Sequence, residues 1–426
     1  MLGVPQFQSE MVMRTKFPDT SRRREDVIQA LEAMKAGDAD WQGGRVPLFV
    51  FKGSDTATEL TRDAFSLYFS ENALGRARAF PSLQQMENEI IDMALDLFHA
   101  PADAAGFVTT GGSESIIQAV QTCRDYNRAK RSAPTHRGNI VMPVSGHPAF
   151  DKAARLMDLE VKRIAVTGDF TADTDAMDAA IDRDTIMLVG SAPCFPFGVF
   201  DPIEALAEVA QRHDVWLHVD ACVGGYLAPF VAASGRSVPA FDLGIAGVCS
   251  MSADLHKYGY APKPISTVFY SAPAYAEHHG FEFHDWPNGR FATTTIVGTR
   301  AGGPIAGAWA LFQHLGRDGY TAIADELMSG METYRSGVAD IPGLKVLGDP
   351  ALSIVSVGSD DVDIFRVAEL MQQQNWVPGL LQQPKALHRM MSMLHVASMP
   401  DYLGDLAAAV DRVRAEGGDA KIQAEY

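Results

Sequence analysis

Between about residues 60 and 310, short β-branched or aromatic runs alternate with stretches whose apolar positions recur every three or four residues. The first pattern predicts strands and the second amphipathic helices, and their alternation predicts an α/β fold, a mostly parallel sheet covered by helices. Seven runs qualify as strands, at 107–109, 140–142, 162–166, 186–189, 216–219, 248–251 and 267–270. Ahead of them Leu83, Met86, Ile90, Ala94 and Leu97 mark one apolar helix face, with Pro81 and Ser82 as its expected start and cap. After Gly303 the pattern changes to helical segments at 306–315 and 322–334, then strands at 344–347 and 354–357. That is the pattern of a smaller C-terminal α+β unit. The opening residues hold one helix, at 26–35, and a connection punctuated by Gly43, Gly44 and Pro47. The expected organisation is a packing arm at 1–60, a large domain at 61–310 and a small domain at 311–426.

Composition narrows the partners. The 426 residues carry 36 Lys+Arg against 53 Asp+Glu, a net charge of -17 that repels phosphate backbones and anionic lipid surfaces. Nucleic acid is therefore not an expected partner. Cys123, Cys194, Cys222 and Cys249 show no CxxC spacing, which fits reduced thiols in a cytoplasmic protein. No signal-peptide core precedes Arg14, and the longest apolar run, 186–200, is broken by Pro193 and Pro196. It is also shorter than the roughly 18 residues of a membrane-spanning candidate, so no integral membrane segment is expected.

Three segments could carry chemistry. In 250–263, Lys257 follows His256 at the end of a predicted strand, a setting for an amine nucleophile that forms a Schiff base. A lone His-Lys pair is otherwise an ordinary surface feature. In 218–225, Asp220 ends an apolar strand where α/β sheets bind ligands, and could hold a pyridinium nitrogen protonated, cap a helix or ligate a metal. In 109–115, Gly111, Gly112 and Ser113 link a strand to a helix, a turn whose N–H groups can receive phosphate. It lacks both the Walker and the GxGxxG spacing. His278, His279 and His284 have no metal-ligand spacing and read as a surface loop. Together, phosphate turn, carboxylate and lysine are what a pyridoxal phosphate site requires.

With 40–46, 80–83, 144–153, 195–202 and 298–303, these segments make the chain resemble the group II pyridoxal-phosphate-dependent decarboxylase superfamily. Within it the resemblance is to the sphingosine-1-phosphate lyases, over about residues 25–415. It implies a fold-type I architecture, pyridoxal 5'-phosphate as cofactor, and a homodimer with active sites shared between subunits. By position, Lys257 would be the Schiff-base lysine, Asp220 the partner of the pyridine nitrogen, and His147 the ring-stacking and proton-transferring group. Gly112, Ser113 and His256 would hold the cofactor phosphate, with Gly298 and Thr299 reaching over from the partner subunit. Lys263 and Arg300 would face the substrate phosphate. The lyase pattern has a histidine and a tyrosine where this chain has Gly75 and Phe51, and Lys52, Arg76 or Arg78 could supply the missing positive charge. The expected activity is retro-aldol cleavage of a phosphorylated β-hydroxy amine, an anionic substrate, to an aldehyde and ethanolamine phosphate. The alternative is L-amino-acid decarboxylation.

Overall fold

The structure, a computed structural model, describes residues 14–425. The described residues up to Asp40 belong to one unit and those from Trp41 to another. The described part of the first is built on the helix Arg24–Lys35, whose Glu25 and Asp26 lie in the first turn and Lys35 in the last, as the helix dipole favours.

The second unit is organised by a seven-stranded sheet: β1 (Ala105–Thr109), β2 (Asn139–Pro143), β3 (Glu160–Ile164), β4 (Thr185–Ser191), β5 (Trp216–Asp220), β6 (Val248–Ala253) and β7 (Ser266–Tyr270). Their order is β1-β7-β6-β5-β4-β2-β3, and only β7 runs against the rest. β2, β4, β5 and β6 are buried along their whole length, which is why they read as continuous rather than alternating apolar runs. All seven expected strands are present. The third spans Glu160–Ile164 rather than the expected 162–166, two residues earlier at each end, because the exposed Glu160 that opens this half-exposed edge strand gives no apolar signal.

Register places the chemistry. Ser191 at the end of β4 pairs with Asp220 at the end of β5, and Asp220 pairs with Ser252 of β6. Thr109, which ends β1, pairs with Ser266. The C-terminal ends of four strands thus converge on one edge of the sheet, where open α/β folds bind ligands.

The helix Pro81–Leu97 buries all five residues of its expected stripe. Its start differs from the expected cap: Pro81 occupies the first turn and Phe80 the cap position, without a side-chain bond. The two expected helices after Gly303 are one element, Gly302–Ala339, interrupted at Gly316 (φ 57°, ψ −172°). That backbone conformation is open essentially to glycine alone. This element crosses position 310. Beyond it, Leu344–Val346, Ile354–Ser359, Lys385–Met390 and Gly379–Gln382 form an antiparallel sheet in that order. No helix among the described residues is long and apolar enough to cross a membrane.

Candidate active site

Lys257 stands on the loop that leaves β6, four residues past the strand end. Its Nζ lies 3.1 Å from Asp254 Oδ2, and Asp254 is buried. Burial pushes the Lys257 ammonium down, but the carboxylates of Asp254 and Asp220 outweigh it and the net direction is upward. The converse holds at Asp254: burial pushes its carboxyl up, while Lys257 and His256 bring it below its ordinary value. The pair is a half-buried lysine held charged and oriented by a buried carboxylate.

Asp220 is fixed from one side only. Its Oδ1 accepts the Cys222 N–H (3.1 Å) and the Ser252 hydroxyl (3.4 Å), and no group among the described residues bonds Oδ2. A chain of donors stands behind Ser252. The Trp216 indole N–H can only donate, so Ser250 accepts from it (2.7 Å) and turns its own proton to His218 Nδ1 (2.8 Å). The His218 proton then sits on Nε2, facing Ser252 Oγ at 3.2 Å, and the Ser252 proton goes to Asp220. Burial pushes His218 down to about 4, so the ring in this chain is neutral near pH 7.

His147 follows β2 and precedes the helix Ala149–Met157, and its Nδ1 accepts the Ala149 N–H at 3.1 Å. Burial lowers its affinity for a proton, so the neutral ring carries its hydrogen on Nε2. Gly112 and Ser113 open the helix Gly112–Lys130, whose first-turn N–H groups lack intrahelical partners. A Cβ at Gly112 would lie 2.7 Å from Asp254 Oδ1, so glycine lets the helix start sit directly against the lysine's carboxylate. Gly112, Ser113, His147, Asp220, Asp254, His256 and Lys257 line one cavity of about 220 Å³, with Ile116, Pro193, Phe195 and Val223 as apolar walls. Cys222 also lines it, but burial holds its thiol well above its ordinary value.

The remaining expected residues lie elsewhere in this chain. Arg300, read as a cation facing substrate, is buried against Glu87, and Arg76 lies 3.0 Å from the same carboxylate. Arg76 also donates to Gln84 (2.9 Å) and Thr294 (3.2 Å), so both guanidiniums are committed within the fold. Lys52 pairs with Asp55, and Arg78 is exposed. Gly298 lines separate cavities beside Thr294, and Thr299 accepts from Asn72 at 3.3 Å. Lys263 lines a neighbouring cavity, with its Nζ 5.9 Å from the Phe51 ring centre. His279 is not on a surface loop: half-buried, it stacks on Phe107 at 3.8 Å and bonds Tyr270 and Thr294. Sequence reasoning assigned no role to Asp254 or to the Ser250–His218–Ser252 chain. The available signal was Asp254 three residues before the lysine.

A half-buried lysine and two buried carboxylates gathered beside a helix start, at the C-terminal edge of a parallel sheet, define an α/β enzyme working through an amine nucleophile. A family model described as the pyridoxal-dependent decarboxylase conserved domain matches residues 15–356. A sphingosine-1-phosphate lyase of Oryza sativa subsp. japonica is 38% identical over 417 residues, 96% of this chain and 77% of that protein. The solved structure of a Burkholderia pseudomallei sphingosine-1-phosphate lyase matches with a TM-score of 0.90 at 34% identity, covering 97% of this chain and 96% of that one. A Lactobacillus brevis glutamate decarboxylase, at TM-score 0.82 and 19% identity over 96% and 97% of the two chains, shares the fold alone. The chain belongs to the pyridoxal-dependent decarboxylase family, and its cofactor is pyridoxal 5'-phosphate.

The cavity fits that cofactor on its own evidence. Among the described residues, Asp220 offers a single free oxygen, the helix start offers N–H groups without intrahelical partners, and Asp254 Oδ1 is a buried acceptor without a partner.

Proposed function

We propose that this chain is a carbon–carbon lyase that cleaves a phosphorylated β-hydroxy amine, of the sphingosine 1-phosphate type, to a long-chain aldehyde and ethanolamine phosphate. The observation that carries this reading is the likeness to lyases of that name over nearly the whole chain, where the decarboxylase structure shares only the fold.

When bound, pyridoxal phosphate supplies an aldehyde that condenses with amines and a ring that takes up the electron pair of a breaking Cα–Cβ bond. The chain's own groups do the rest. Gly112, Ser113 and His256, which line the cavity, would hold the phosphate end, and Asp220 Oδ2 would keep a proton on the ring nitrogen. His147 would cover the ring, with Nδ1 fixed by the Ala149 N–H and a proton available on Nε2. With the cofactor in place, Lys257 Nζ would take the β-hydroxyl proton as the Cα–Cβ bond breaks and pass it to Cα, with Asp254 stabilising the ammonium form in between. The apolar walls Ile116, Pro193, Phe195 and Val223 exclude water from the reacting carbon.

The same reading makes the working unit a homodimer, in which Gly298 and Thr299 of each subunit complete the other's phosphate site. Its place is the cytoplasm, in sphingolipid breakdown; the four cysteines, all free and buried, are consistent with a reducing compartment. One observation favours a second reading, amino-acid decarboxylation: Phe51 and Gly75 stand where the lyase pattern has phosphate-binding tyrosine and histidine.

The test is product analysis by mass spectrometry after incubating the holoenzyme with phosphorylated amino alcohols and, separately, with acidic and aromatic amino acids. Aldehyde with ethanolamine phosphate is the expected result. Carbon dioxide release from an amino acid, with no aldehyde from any phosphorylated amine, would replace this reading by the second.

A further inference from the structure

A second cavity, of about 470 Å³, shares Gly112, Ser113 and His256 with the first and is lined in addition by Lys152 and Lys263. Lys152 comes from the helix Ala149–Met157, the helix that follows His147, and Lys263 from the loop that carries Lys257. Neither ammonium has a carboxylate partner among the described residues. The nearby acids are committed elsewhere. Asp151, next to Lys152 in sequence, is held by Arg163 (Nη2 to Oδ2, 2.5 Å). Glu114 lines the same cavity, but one of its oxygens accepts the Thr110 N–H and hydroxyl and the other the Ile296 N–H, at 2.5–2.6 Å. Asp254 is paired with Lys257. In a chain of net charge -17, two unneutralised ammoniums lining one cavity form a local concentration of positive charge.

We propose that Lys152 joins Lys263, the lysine that the family resemblance already sets toward the substrate phosphate, in a two-ammonium seat for that group, and is a specificity-determining residue for it. The inference rests on the lyase reading above. It also accounts for Phe51: a phenyl ring cannot bond phosphate, but its face lies within cation–π reach of Lys263, 5.9 Å from Nζ, and restrains that ammonium. Partial burial pushes the Lys263 ammonium below its ordinary value, so an arriving dianion restores what desolvation opposes. Two flexible point charges, rather than imidazole and phenol, then recognise the phosphate.

Steady-state kinetics of the holoenzyme test this with sphingosine 1-phosphate, unphosphorylated sphingosine and inorganic phosphate as a competing ligand. Lys152→Met should raise KM for the phosphorylated substrate about tenfold or more, as expected for loss of a charged hydrogen bond, with little change in kcat. The inhibition constant of inorganic phosphate should rise in parallel, KM for sphingosine should stay as it was, and Lys152→Arg should recover most of the loss. A folded Lys152→Met enzyme with wild-type KM and wild-type phosphate inhibition would overturn the proposal. So would loss of the bound cofactor's visible band in that variant, which would put Lys152 on the cofactor phosphate instead. If the wild-type enzyme cleaves no phosphorylated amine, the lyase reading falls, and calorimetry of inorganic phosphate on the holoenzyme decides the seat separately. Weaker binding by Lys152→Met supports it, and equal binding overturns it.

Discussion

Asp220 is held by one carboxylate oxygen and presents the other to the cavity. The indole of Trp216 starts a run of donors through Ser250, His218 and Ser252 that ends on Oδ1, so the carboxylate is oriented before any ligand arrives. An amide at this position can still accept the Cys222 and Ser252 bonds through its oxygen, but it cannot hold a pyridinium proton. Asp220→Asn should therefore keep the fold and the cofactor while kcat falls by about 10² or more, the scale of losing one preorganised electrostatic partner. Turnover close to wild type in the cofactor-loaded variant would contradict the role given to Asp220. The aspartate itself was legible, as a carboxylate ending an apolar run. Its support was not, because Ser250 and Ser252 lie 32 and 34 positions from the residues they bond, and only strand pairing makes them neighbours. The ion pairs of Arg300 and Arg76 were not legible for a related reason. Their partner Glu87 sits within the apolar stripe of the helix Pro81–Leu97, where periodicity alone gives a carboxylate no function.

At the scale of elements, the strands that position the site were the most legible part of the fold. β4, β5 and β6 are buried on both faces, so their apolar runs had no amphipathic alternative. The strand Lys385–Met390 was not read because two of its buried residues, on opposite faces, are polar. His388 is buried and bonds the Phe195 carbonyl at 2.8 Å, and Arg389 is buried with its guanidinium 3.6 Å from the centre of the Tyr402 ring. Both need tertiary partners to be stable inside, and no local pattern announces those partners. The turn from β1 into Gly112–Lys130 shows the same limit. Gly111 and Gly112 marked a phosphate-receiving turn, but the second glycine also serves the approach of Asp254, from 142 residues away in the sequence.

The whole molecule buries several histidines in neutral form. Burial pushes His218, His279, His388 and His395 down to about 4, from an ordinary value of 6.5. Between those values the unfolded chain binds more protons than the folded one, so stability falls as pH drops through that window. Asp201, raised to about 6 by burial, acts in the opposite sense, but one carboxyl does not offset four imidazoles. Each histidine contributes a loss of roughly 2 kcal/mol at about pH 5, and the melting temperature should fall by several degrees from about pH 7 to about pH 5. Calorimetry across that range checks it, and a flat profile would show that these rings are not buried neutral.

The central claim is that the cavity at the ends of β4, β5 and β6 is the active site and that Lys257 is its nucleophile. Borohydride reduction of the holoenzyme, followed by proteolysis and peptide mass spectrometry, tests it most directly. A reduced cofactor adduct on the peptide containing Lys257, absent in Lys257→Ala, is the expected result. An adduct on Lys152, Lys263 or any other lysine of the wild-type enzyme would contradict the assignment.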